Sequence, residues 1–244
     1  MKPLIVANWK CNPITFKEVK FLFNSIKKGV RGIKNVEVVI CPPFIYLPIL
    51  RAFAFAKGYG GFAFGSQDCF WEERGAFTGE VSPLMLKNLG VKYVIIGHSE
   101  RRKYLKETDE MISKKIQAVL RANLKPILCI SDISEIKNLK FKAEFRNSEM
   151  GRKKKIGTSS RIKNLIVAYE PLFAIGTGKP CSPERAKKMR LTIKKKLNVP
   201  VLYGGSVNSQ NAKDYVEKAS FQGLLVGGAS LKAKEFIKIV RNIS

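Results

Sequence analysis

One carboxylate in this chain stands where a base would be placed. Glu170 ends the apolar run Leu165–Tyr169 and is followed at once by Pro171. A loop of small residues comes next, Ala174-Ile175-Gly176-Thr177-Gly178-Lys179. A glutamate at the end of a buried strand, beside a loop able to close over it, can act as a general base whose basicity rises when water is excluded. It can equally be an ordinary salt-bridged glutamate at the mouth of a barrel. The glycines of the loop lack the GxxxxGK[ST] spacing of a nucleotide-phosphate loop, so an ATP site is not supported.

Three other groupings could join Glu170. Asn8-Trp9-Lys10 closes the first apolar run and offers a permanent positive charge, either to an anion or to solvent at a strand end. Gly97-His98-Ser99-Glu100-Arg101-Arg102 follows Val94–Ile96 and holds the chain's single histidine. Ser99 is suited to cap a helix there, and a helix N-terminus disfavours imidazolium, which leaves a neutral ring able to donate to a carbonyl. Glu100 and the arginines can instead form an ion-pair network. The glycine turns Tyr203-Gly204-Gly205-Ser206-Val207 and Val226-Gly227-Gly228-Ala229-Ser230 follow the last two apolar runs. Glycine lets backbone N–H groups approach an anion closely, and two such turns after strands seven and eight are the usual phosphate-binding arrangement of a barrel.

Eight short apolar runs can position these residues: Leu4–Trp9, Val36–Cys41, Phe62–Gly65, Tyr93–Ile96, Pro126–Ile130, Leu165–Tyr169, Val201–Tyr203 and Gly223–Val226. Several are continuously apolar, as in strands buried on both faces of a parallel sheet. Helix-like segments fill most gaps, including Thr15–Lys28, Arg101–Ala122, Pro183–Leu197 and Leu231–Ile243, and Ser82-Pro83 and Ser182-Pro183 read as helix starts. The pattern predicts an α/β chain, a (β/α)8 barrel in a single domain over residues 1–244, with an open doubly wound sheet as the alternative. Ser131–Asn164 has poor periodicity and a lysine run flanked by glycines, which predicts an irregular or mobile connection.

The 244 residues carry 45 Lys+Arg against 19 Asp+Glu, a net charge of +26. That charge suits a small anionic substrate, non-specific polyanion binding, or a solvated surface, and no RNP motif, zinc finger or zipper accompanies it. The five cysteines are scattered, without CxxC pairs or companion histidines, which argues against a metal site and for reduced thiols in a cytoplasmic protein. Neither a signal segment nor a membrane span is expected.

Taken together, these motifs resemble triosephosphate isomerases, in the family's order and across nearly the whole chain. Gly75-Ala76-Phe77-Thr78-Gly79-Glu80 adds to the likeness. The resemblance implies interconversion of dihydroxyacetone phosphate and D-glyceraldehyde 3-phosphate through an enediolate. Glu170 would be the base, His98 the neutral electrophile, Lys10 a fixed charge and Asn8 a hydrogen-bond donor. Gly176, Ser206, Gly227 and Gly228 would hold the phosphate, Ser99 and Glu100 would support the site, and Ile175 and Leu225 would cover the base. No cofactor or metal is implied. A homodimer is implied, through the Phe70–Glu80 loop with Thr78 near the partner's site.

Four residues depart from the family pattern. Asp68 stands where asparagine is usual and, if buried, needs a cation or several donors. Ser131-Asp132 replaces Gly-Glu, and Phe173 replaces a tryptophan whose indole that glutamate would hold. The open lid is therefore expected to be less firmly anchored.

Overall fold

The computed structural model describes residues 2–55, 62–139, 164–174 and 178–244. Strands and helices alternate along the chain: β1 (Leu4–Asn8), α1 (Phe16–Gly29), β2 (Glu37–Cys41), α2 (Leu47–Phe55), β3 (Phe62–Ser66), α3 (Pro83–Asn88), β4 (Tyr93–Ile96), α4 (Ser99–Tyr104), α5 (Asp109–Arg121), β5 (Lys125–Ile130), α6 (Ile133–Asn138), β6 (Ile166–Tyr169), α7 (Pro183–Lys196), β7 (Val201–Tyr203), α8 (Ala212–Glu217), β8 (Gly223–Val226) and α9 (Ala233–Ile243). The strands pair in sequence order, all parallel, and β8 returns to β1, so the sheet is a closed barrel and not the open alternative.

The uninterrupted apolar character of the strands has a two-sided cause. Leu4 and Val6 of β1 join Val39, Ala63, Ile95, Ile127, Ile166, Leu202 and Leu225 inside the barrel. Ile5 and Ala7 face outward into the layer shared with Leu22, Phe23 and Ile26 of α1 and Phe236 of α9. A strand buried on both faces has no polar side to display, and this removes the period-two signal.

Helix starts follow the serine and threonine signals. Thr15 and Glu18 form a reciprocal capping box on α1, with Glu18 N–H donating to Thr15 Oγ1 at 3.3 Å and Thr15 N–H to Glu18 Oε2 at 3.1 Å. Ser82 and Ser182 accept from the amides of Met85 and Arg185. The expected helix over Arg101–Ala122 is instead two, α4 and α5. The break is at Leu105–Thr108, where Lys106 has φ +56° and Thr108 caps α5 by accepting from Met111 N–H. Of the segment expected to be irregular, Ile133–Asn138 is a short helix capped by Asp132, and residues 140–163 lie outside the described residues. Among the described residues no helix is long and apolar enough to cross a membrane.

Candidate active site

Strand parity carries two of the expected residues to the mouth. Asn8 continues the inward series Leu4, Val6, and Glu170 continues Ile166, Ala168. Both are buried. His98 breaks its strand's parity, because Tyr93 and Ile95 point inward and residue 98 should not. Gly97 between them adopts φ +68°, in the left-handed region, and a Cβ there would lie 2.9 Å from Ile112. This turn swings His98 over the mouth.

Glu170 Oε1 lies 3.1 Å from His98 Nε2, both side chains nearly sealed from solvent. Glu170 Oε2 is buried with no hydrogen-bond partner among the described residues. The cap of α4 is His98 and not Ser99 as expected, since His98 Nδ1 accepts the Glu100 N–H at 3.2 Å. Burial opposes charge on His98, while Glu170 and then Glu100 favour it, and the balance raises its pKa above the ordinary imidazole value. This runs against the helix-terminus expectation, because a carboxylate at contact distance outweighs partial backbone charges. The Nδ1 geometry nevertheless assigns the proton of the neutral ring to Nε2, directed at Glu170. Lys10 adopts φ +53°, its N–H donates to Asn8 Oδ1 at 3.0 Å, and its Nζ pairs with Glu100 Oε1. Gln67 fixes this corner by donating to the carbonyls of Lys10 and Cys41, each at 2.9 Å. Ser99 lines a second chamber on the Cys129 side of Glu170.

Next to the Glu170–His98 pair is a cavity of about 450 Å³ lined by Asn8, Lys10, Gly204, Gly205, Ser206, Leu225, Gly227, Gly228 and Lys232. Ser206 donates from both its N–H and its hydroxyl to the Ala174 carbonyl, at 3.0 and 2.5 Å. Ala174, just after β6, is thereby tied to the first glycine turn. Ile175 and Gly176 lie outside the described residues.

Sequence reasoning missed what several neighbours do here. A Cβ on Gly204 would stand 2.8 Å from Glu170 Cγ, so glycine there makes room for the carboxylate. Cys129 is buried at the inward end of β5, and burial and Glu170 push its thiol well above the usual range. The inward parity Ile127, Cys129 could have found it. Lys232, before α9, adds a second cation to the cavity wall.

The departing residues are accounted for locally. Lys115 Nζ donates to Asp68 Oδ1 and Oδ2 at 2.9 and 2.7 Å, Arg101 reaches Asp68 Oδ2 at 2.9 Å, and Lys115 and Arg101 also both bind Glu107. Asp132 is spent on its own helix, accepting from Ser134 N–H at 2.8 Å. Phe173 is held another way: the Arg185 guanidinium lies 4.6 Å from its ring centroid. Such a contact is worth about 0.5–1 kcal/mol at an exposed site. If the loop after Phe173 closes on phosphate, Arg185→Ala should tighten binding of inorganic phosphate two- to fivefold by releasing this hold. Phosphate titration by calorimetry reads this, and an unchanged affinity would remove Arg185 as an anchor.

A closed (β/α)8 barrel with a buried carboxylate–imidazole pair at its mouth, beside a cationic glycine-walled cavity, has the layout of a barrel enzyme, whose active site lies at that face. The family model described as triosephosphate isomerase matches residues 3–243. The chain is 41% identical to the triosephosphate isomerase of Alkaliphilus oremlandii, over 98% of both chains. It is 42% identical to that of Citrifermentans bemidjiense, again over 98% of both, and 41% identical to that of Aquifex aeolicus, over 98% of this chain and 99% of that one. The chain belongs to the triosephosphate isomerase family.

Proposed function

We propose that this protein is a triosephosphate isomerase, a single-domain enzyme interconverting dihydroxyacetone phosphate and D-glyceraldehyde 3-phosphate through an enediolate. The observation that carries the reading is the Glu170–His98 pair at 3.1 Å, buried beside the cationic cavity. Glu170 removes the proton from the carbon next to the carbonyl and returns it to its neighbour. His98 donates from Nε2 to the carbonyl oxygen and shuttles a proton between the enediolate oxygens. For this the substrate enters between the two side chains, and the carboxylate that favours imidazolium moves away from the ring. Lys10 stabilises the developing negative charge and Asn8 donates to the same oxygen. Glu100 holds Lys10 and, through its N–H, the histidine tautomer, with Ser99 beside it.

Gly227 and Gly228 hold the phosphate with Ser206, whose N–H becomes available once the Ala174 carbonyl moves. Gly176 completes that set, and Ile175 and Leu225 cover the base after closure, which keeps the enediolate from expelling phosphate. The chemistry needs neither metal nor cofactor. A coupled assay with glyceraldehyde 3-phosphate tests the reading: saturable turnover is expected, and none from a folded protein would sink it.

The proposal extends to a cytoplasmic homodimer. Ile14, Ile45, Phe77, Leu84 and Met85 are exposed on segments that follow β1, β2 and β3, neighbouring strands at one end of the barrel. The Phe70–Glu80 loop is folded on itself through Phe70 N–H to the Val81 carbonyl and leaves Thr78 exposed. An apolar patch of that kind is an interface feature. Sedimentation should give twice the chain mass of 27.4 kDa, and Phe77→Glu should lower it to one. A wild-type monomer at micromolar concentration would refute the dimer.

A further inference from the structure

The outward face of α1 has a composition that neither the barrel nor the reaction uses. Its inward side, Val19, Leu22, Phe23 and Ile26, is sealed into the layer between helices and barrel. Phe21 on the other side is 73% exposed, and a shallow hollow around it is lined by Lys17, Lys20, Asn24, Ser25 and Lys28. Glu18, the one acid of the helix, is turned back to the N-terminus by its capping box. Lys20 Nζ lies 5.3 Å from the Phe53 ring centroid, so its charge is also carried on an aromatic surface. A large exposed ring inside a ring of lysines is costly to keep as bare surface, and the combination is specific: a platform for a flat π-face with cations placed for its flanking anions.

We propose that this face of α1 binds single-stranded nucleic acid, with one base stacked on Phe21 and the adjoining phosphates met by Lys17, Lys20 and Lys28. Asn24 and Ser25 supply donors to the sugar–phosphate backbone. An anionic membrane fits less well, because the helix's apolar side is committed to the barrel and a single phenylalanine is left to insert. An acidic peptide would use the lysines and leave the ring without a flat partner. The chain's net charge of +26 adds long-range attraction for any polyanion, and the α1 face sets an exposed ring among three lysines, Lys17, Lys20 and Lys28.

Fluorescence anisotropy with labelled dT12 at 50 and 200 mM salt tests this on the full-length protein. Phe21→Ala should weaken binding about tenfold, and Phe21→Tyr should restore it, because a base stacks on either ring. Lys17→Gln with Lys28→Gln should flatten the salt dependence by about 1.4 in log–log slope, at roughly 0.7 per phosphate released. Lys195→Gln with Lys196→Gln on α7 removes the same charge elsewhere and should change affinity less than twofold. All variants should retain isomerase turnover, since none touches the barrel mouth. The proposal is overturned if Phe21→Ala binds dT12 as the wild type does. It is equally overturned if the α7 pair weakens binding as much as the α1 pair, or if Phe21 promotes capture on phosphatidylglycerol vesicles while dT12 is not bound.

Discussion

Glu170→Gln should lower kcat for triose phosphate isomerisation by about 10³-fold while leaving the affinity for inorganic phosphate within twofold of the wild type. Glutamine preserves volume in a space where Gly204 leaves little to spare, so the packing around the side chain is unchanged. What is lost is the lone pair that takes the proton, and general-base catalysis is commonly worth about 10²–10⁴-fold. Oε2 is the oxygen to watch: it is buried and unpartnered among the described residues, whereas Oε1 is engaged by His98. Glu170→Asp separates position from chemistry. It keeps the carboxylate but withdraws it by one methylene, and a misplacement on the order of 1 Å can cost about 10²-fold. Steady-state kinetics on both triose phosphates, with phosphate binding in parallel, gives the answer. Near-wild-type turnover in Glu170→Gln would remove Glu170 as the base, and a large loss of phosphate affinity would assign it to binding instead.

The barrel was legible because its strands are buried on both faces and separated by capped helices, so runs such as Leu4–Trp9 and Leu165–Tyr169 stand out without any periodicity. The break between α4 and α5 was not, since it is made by the backbone, with Lys106 at φ +56° and Thr108 extended. At the mouth, Asn8 and Glu170 could be placed by counting alternate residues. His98 could not, because Gly97 resets the count. Lys115 falls inside the expected helix Arg101–Ala122 with nothing local to single it out, yet it is 3% exposed. Its partners Asp68 and Glu107 are 47 and 8 residues away, and only the closed barrel brings Asp68 beside α5. A buried charge declares itself in sequence by its partner, and here the partner is remote.

Lys115→Met should destabilise the fold by about 3–5 kcal/mol, the usual cost of stripping one partner from a buried ion group. Methionine matches the length of the lysine stem, so the loss is charge and hydrogen bonds, not volume. Two carboxylates, Asp68 and Glu107, would then share Arg101 alone. For a chain of this size the melting temperature should fall by roughly 6–20 °C. Adding Asp68→Asn should recover part of the loss, since it restores one acid to one base, and a double-mutant cycle measures that coupling. The same aspartate gives the cluster a pH signature. Burial pushes Asp68 up to about 6 against the pull of Lys115, with Glu107 adding to the rise and Arg101 opposing it. A carboxyl that holds its proton more tightly folded than unfolded contributes stability that is lost as pH rises from about 4 to about 6, and the loss is complete above that. The stability of the wild type relative to Asp68→Asn should therefore decline across this window by about 3 kcal/mol, at about 1.4 kcal/mol per unit. Urea melts of the two proteins at pH 4.5, 5.5 and 7 measure it. A difference that stays constant with pH would mean that Asp68 is ionised throughout, with Lys115 and Arg101 fully offsetting its burial.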